Sequence, residues 1–185
     1  MALQDGRNAE DLARGTTLEA ALALFDSCAP VAVDQMTGFW RGAGLPTGNP
    51  IDGLLESFGW VGKRFEDSET AHPLVFEDAR GLFSLDPAGL PLSLAVRFSG
   101  ALRSPVISSV GRKVMRGRRT TKPKARLRMI EYRGVVSGAM VYDALPINDH
   151  FRVLDKDTLI GAMDSRFLEV PFLFTLRRSD SAVRA

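Results

Sequence analysis

Hydrophobic and polar positions follow two rhythms along this chain. Leu18, Ala21, Leu22 and Phe25 recur at helical spacing. They predict a helix over residues 17–27, opened by the capping-box pair Thr16 and Glu19. Ala29-Pro30 closes it, because the residue before a proline avoids the helical region. Beyond that point the pattern shortens to strands. "QMTGFWRGAG", "WVGKRFE", "HPLVFED" and "GLFSLD" read as the first four, the last two joined by a turn at Asp78–Gly81. Asn49 and Pro50 open a short helix whose apolar face is Ile51, Leu54, Leu55 and Phe58. "PLSLAVRFSGAL" fits strand and helix equally, and Ser104-Pro105 opens a further short helix. The last third holds five strands: "KARLRMIEYRG", "VVSGAMVYDA", "DHFRVLD", "TLIGAMDS" and "VPFLFTLRRS". Short, evenly spaced strands rich in β-branched and aromatic residues predict an antiparallel barrel or sandwich. Each half holds too few strands to be stable alone, so one domain over 16–185 is expected, after a frayed segment 1–15.

Composition narrows the class. No apolar run reaches the length of a membrane-spanning helix, and the N-terminus lacks an apolar signal core. Cys28 is the single cysteine, so no disulfide forms within the chain, which fits a cytoplasmic protein. The net charge of +2 conceals an asymmetry: nine Lys/Arg and no acidic residue fall between Arg112 and Arg128. That run has no aromatic residue, which argues against stacking on nucleic acid. A solvated loop over a barrel mouth is the simpler reading, and attraction for anionic ligands or lipid surfaces the sharper one. No phosphate loop, nucleophile elbow or dinucleotide fingerprint is present, and no metal-ligand spacing.

The glycine–tryptophan alternation of "GFWRGAG" gives the sharpest clue. On a strand, Gly38, Trp40, Gly42 and Gly44 share one face and Phe39 and Arg41 the other. Glycines flanking an indole suit a strongly curved first strand, with Trp40 plugging one end of a barrel. "GFWRGAG" resembles the opening of nitrobindin and lipocalin-like calycin barrels. "MTGFWRGAGLPTGNPIDGLLESFGWVGKRFEDSETAHPLVF" resembles the bacterial GXWXG protein family, and "TTKPKARLRMIEYRGVVSGAMVYDALPINDHFRVLDKDTLIGAMD" the domain of unknown function that usually follows it. The two parts cover about 36–100 and 120–178. The resemblance implies a single, mainly β, calycin-like antiparallel barrel with an N-terminal helix and one or two short helices. It also implies that an arginine of the last strand, Arg177 or Arg178, packs on Trp40. It brings no established activity with it.

Candidate chemistry is sparse. Asp149 follows "ALPIN" where the chain re-enters the barrel, and the family keeps an acid in this setting. It is a candidate for orienting a ligand, for acid/base catalysis with His150, or for bonding local backbone. Lys63 is an exposed strand lysine or an anion anchor paired with Asp149 or a ligand carboxylate. Trp40, Trp60, Lys63, Arg128, Tyr142 and Asp149 form the candidate ligand-binding set, with Gly38, Gly42, Arg177 and Arg178 as structural residues. Met129, Met140 and Met163 are core residues or an adaptable pocket wall. His72 reads as a surface turn residue, and neither histidine matches the haem ligand of nitrobindin-like barrels. The expected function is binding of a small, mostly hydrophobic molecule, with a carboxylate as one head group it would accept. An enzyme working through Asp149 and a haem protein are the alternatives. No cofactor, no specific nucleic acid and no membrane span are expected, and the sequence allows a homodimer.

Overall fold

The computed structural model describes residues 15–90 and 115–179, together with residues 100, 104, 111 and 113. The segment before residue 15, "PLSLAVRFSGAL" and most of the helix opened by Ser104-Pro105 lie outside the described residues.

Helix α1 (Leu18–Ser27) begins one residue later than the capping-box spacing suggests. Thr17 rather than Thr16 is the N-cap, its Oγ1 accepting from Ala20 N–H at 3.2 Å. Strand β1 (Ala29–Pro30) and a 3-10 turn (Val33–Met36) follow. Then come β2 (Gly38–Gly44), α2 (Leu54–Ser57), β3 (Trp60–Phe65), β4 (Ala71–Asp78), β5 (Gly81–Leu85) and β6 (Arg119–Thr120). The chain ends through β7 (Ala125–Tyr132), β8 (Val135–Tyr142), β9 (Ile147–Asp155), β10 (Thr158–Ser165) and β11 (Phe172–Ser179).

Among the described residues, eight strands close a cycle: β2–β11–β10–β9–β8–β7–β4–β3 and back to β2, every pairing antiparallel. Closure gives every strand of the cycle two neighbours. The seam is β4–β7, paired only at Ala71 and Ala125. Past that point β4 turns to β5 from Val75 onward. Strands β8 and β9 also part, and β1 fills the gap. Ser137 bridges it, accepting from Val31 N–H at 2.9 Å and donating to the Phe151 carbonyl at 2.7 Å.

Two apolar cores result. The larger fills the lumen and includes Phe65, Phe151, Phe174 and Phe172, which meet in that order, twice edge-to-face and then stacked. The smaller lies outside, where Ala21 and Phe25 of α1 cover Ile160, Ala162 and Leu173. Arg133 pins the end of α1 through two 2.7 Å bonds to Asp26.

One end of the barrel is plugged. Trp40 is buried, its Nε1–H donating to the Met36 carbonyl at 2.7 Å. The Arg178 guanidinium lies 4.2 Å above the indole and donates to the carbonyls of Thr37 and Gln35, both at 2.7 Å. Arg177 instead pairs in register with Arg41 on the outer face.

Gly42 serves a different tryptophan from the one the glycine spacing suggests. A β-carbon on Gly42 would overlap the six-membered ring of Trp60, not Trp40. Gly42 therefore makes the space in which the Trp60 indole lies across β2. Gly62 carries the other constraint: its φ is 151°, and a β-carbon there would collide with the Trp40 carbonyl oxygen. The register of β3 against β4 slips on both sides of Gly62. The extra residue, Val61, resets the alternation, so Trp60 and Lys63 both face the lumen although they are three residues apart.

The basic run is not a solvated loop where it is described. Arg116 and Arg119 pair with Asp78, Lys124 with Asp86 at 2.6 Å, Arg126 with Asp143 at 2.9 Å, and Arg128 with Glu69 at 2.8 Å. Arg118 donates to the carbonyls of Asp86 and Ala88. Five cations of the run thus meet four acidic residues and stitch β6 and β7 to their neighbours.

Candidate functional site

The other end of the barrel holds the candidate site. Here the chain passes from β2 through α2 to β3, from β8 to β9, and from β10 to β11. Ile51, Leu54 and Leu55 form a cover over the lumen, with Leu145, Phe167 and Leu168 from the two loops beside it. The cover is built by local polar bonds. The Asp52 carboxylate accepts the N–H groups of Thr47, Gly48 and Asn49 at 2.8–2.9 Å. Asn49 accepts from Ile51 N–H at 3.1 Å and donates toward the Val170 and Pro171 carbonyls at 3.4 and 3.3 Å. Beneath the cover lies a cavity of about 90 Å³, walled by Trp60, Leu74, Tyr142, Ile147, Met163, Phe172 and Phe174. A water needs roughly 10–15 Å³ on this measure, so the cavity exceeds single-water size several-fold.

Lys63 is the charged side chain in that lining among the described residues. Its ammonium donates to Asp149 Oδ2 at 2.8 Å and to the Pro73 carbonyl at 3.2 Å. Pro73 lies in the irregular stretch of β4, where a residue without an N–H costs the ladder nothing. The ammonium also lies 5.0 Å from the Phe174 ring centre and 5.7 and 5.9 Å from those of Trp60 and Tyr142. Both ends of the ion pair are buried, at 4% and 0% side-chain exposure. Tyr142 O–H donates to Asp149 Oδ2 at 3.5 Å. Burial first, and the Asp149 charge second, push the Tyr142 hydroxyl well above the ordinary tyrosine value, so it stays protonated. Two buried polar atoms at this site lack a partner: Trp60 Nε1 and Asp149 Oδ1.

Of the sequence candidates, Trp60, Lys63, Tyr142 and Asp149 come together. Trp40 belongs to the plugged end. Arg128 lies on the outer face, bonded to Glu69 and the Ser68 carbonyl. His150 follows Asp149 but points the opposite way, stacked on Tyr132 with ring centres 3.9 Å apart and planes at 3°. It cannot share a proton with Asp149 across the barrel wall. His72 is no surface turn residue: it is 1% exposed within β4, its Nε2 accepting from Arg64 at 3.1 Å. Burial lowers the value of both imidazoles. Since both lie on the outer face, the lumen offers no imidazole to a haem iron, and these residues do not fit that group. No cluster of three or more metal-ligating side chains occurs among the described residues. Of the three methionines, Met163 lines the cavity, Met140 is buried core, and Met129 is half exposed.

Sequence reasoning missed Phe174 and Ser165. The alternation of "FLFTL" would have placed Phe172, Phe174 and Leu176 on one inward face. Ser165 ends β10, and its Oγ accepts from Phe167 N–H at 3.2 Å while lining the cavity.

A closed, eight-stranded antiparallel barrel with one plugged end and an apolar cavity at the other is of the calycin-like class, and resembles barrels that bind ligands. The chain belongs to the GXWXG protein family: the model of that family matches residues 23–81, and the model of the domain of unknown function DUF4334 matches residues 123–178. The strand cycle passes through both matched segments, β2 to β4 lying in the first and β7 to β11 in the second. A crystal structure of a protein from Thermomonospora curvata is similar to it, with 32% identity, 89% of each chain covered and a TM-score of 0.66. No curated protein matches the chain. No described helix is long and apolar enough to cross a membrane.

Proposed function

We propose that the protein binds a small, mostly hydrophobic molecule in the cavity beneath α2. The observation that carries this reading is the joining of an apolar cavity to a buried Lys63–Asp149 pair at its wall. Apolar walls with a few convergent polar groups are the usual composition of a small-molecule site. A buried ion pair, by contrast, is weak evidence for stability, since apolar residues of equal volume often do as well or better. Its presence beside a cavity is therefore better explained by recognition. The single cysteine, which leaves no disulfide within the chain, supports a cytoplasmic location.

Native mass spectrometry of the purified protein, with solvent extraction and identification of what it releases, tests the reading. A bound apolar molecule is expected, displaced when Leu54→Trp fills the cavity. A chain that carries nothing and takes up no apolar probe such as Nile red would overturn it.

A further inference from the structure

Granting that the cavity takes a hydrophobic ligand, we infer that the ligand is uncharged and presents a hydrogen-bond acceptor, such as a ketone, ester or aldehyde oxygen, to Lys63 and Trp60. Three observations support this class over a carboxylate. The first is charge. Lys63 already holds Asp149 at 2.8 Å, so the pair has no net charge wherever its proton resides. A ligand carboxylate would bring an uncompensated negative charge into an apolar cavity, next to a carboxylate that is 0% exposed. Burying a lone charge in this way is costly.

The second is the sense of the free hydrogen-bonding groups. An ammonium has three N–H donors, and two of those on Lys63 are taken by Asp149 and Pro73. The third has only ring faces around it. Trp60 Nε1 is a donor only, buried, and without a partner. The Tyr142 hydroxyl directs its proton to Asp149. Asp149 Oδ1 is an unpartnered acceptor, but Asp149 is not in the cavity lining, whereas Lys63 and Trp60 are; the unspent groups of the lining residues are therefore donors, and the complement of a donor is an acceptor. An unpaired buried donor is costly, so an acceptor that meets it gains more than one exchanged from water elsewhere.

The third is the remaining wall. Trp60, Phe172, Phe174 and Met163 surround the site with ring faces and a thioether, which suit an alkyl or ring body behind the acceptor. Asp149 thus acts on the ligand only through Lys63: it cancels the charge and fixes the ammonium. It is a positioning residue that sets which head group is tolerated.

The experiment is isothermal titration of the full-length protein with methyl hexyl ketone and with octanoate at pH 7, for the unaltered chain, Lys63→Met and Asp149→Asn. The unaltered protein is expected to bind the ketone at least tenfold more tightly than octanoate. Lys63→Met should weaken ketone binding tenfold or more. Asp149→Asn frees the ammonium charge and should reverse the preference in favour of octanoate. Thermal melts of each variant identify any that fails to fold. The double variant Lys63→Met/Asp149→Leu then replaces it, and should bind the ketone tenfold or more weakly than the unaltered chain while still excluding octanoate. Octanoate binding as tightly as the ketone to the unaltered chain would overturn the inference and leave ligand binding intact. Uptake of neither molecule, nor of Nile red, would instead sink the binding function itself.

Discussion

Removing one partner of the Lys63–Asp149 pair leaves the other charge in a nearly dry barrel. Asp149→Leu strands an ammonium whose exposure is 4%, with one carbonyl, that of Pro73, as its remaining polar partner. Lys63→Met strands a carboxylate at 0% exposure, with Tyr142 as its remaining donor at 3.5 Å. Breaking a buried pair in this way costs about 3–5 kcal/mol. With a urea slope of about 2 kcal/mol per molar, the unfolding midpoint should fall by about 2 M in each single variant. The double variant Lys63→Met/Asp149→Leu removes both charges and leaves apolar side chains of comparable volume. It should recover most of the loss, because the penalty comes from the unpaired ion rather than from the absence of the bond. Urea unfolding followed by circular dichroism, run as a double-mutant cycle, measures all three. Single variants that cost less than about 1 kcal/mol, or a double variant whose loss equals the sum of the singles, would refute the claim that these groups form a desolvated pair.

Three further expectations follow from the packing. Gly42→Ala forces a β-carbon into the Trp60 ring, and overpacking of this kind costs about 1–3 kcal/mol; Trp60→Phe in the same chain should relieve it, as a thermal melt series will show. Arg178→Ala removes the stack on Trp40 and two charged hydrogen bonds to the 3-10 turn, and should cost about 2–4 kcal/mol in chemical denaturation. Arg177→Ala, on the outer face, should cost less than about 0.5 kcal/mol. His72 and His150 are held neutral by burial below the ordinary histidine value of 6.5. The unfolded chain binds those protons more readily, so stability should be full above pH 6.5 and fall as the pH drops below it. His150→Gln should flatten that fall; a stability curve unchanged by the substitution between pH 7 and 5 would contradict it.

Much of the fold was legible because alternation survives wherever a strand is regular. Ile147, Asp149 and Phe151 face inward along β9 and His150 and Arg152 outward, as period two dictates. The alternation failed at β3, where strict counting from Trp60 turns Lys63 out of the barrel. The bulge at Val61 and the positive φ of Gly62 reverse that, and a bulge leaves no mark in the sequence beyond one strand glycine. Glycine spacing located a close approach correctly but not its occupant, since Trp60 arrives from the neighbouring strand. The charge run between Arg112 and Arg128 misled for a different reason. Its partners Asp78, Asp86, Glu69 and Asp143 are distant in sequence or on another strand, so composition alone shows the cations without their anions. His72 was misplaced because β4 carries a proline beside it, which reads as a turn and is instead the irregular stretch opposite Lys63.

The chain has two tryptophans, and they give the central claim a direct readout. Trp40 Nε1–H is committed to the Met36 carbonyl at the plugged end, whereas Trp60 Nε1–H has no partner and its ring walls the cavity. A proton–nitrogen correlation spectrum resolves the two indole groups, and Trp60→Phe assigns them. On addition of methyl hexyl ketone the Trp60 signal should move downfield as it gains an acceptor, while the Trp40 signal stays in place. A Trp60 signal unmoved at saturating ketone, or a shift confined to Trp40, would contradict the account.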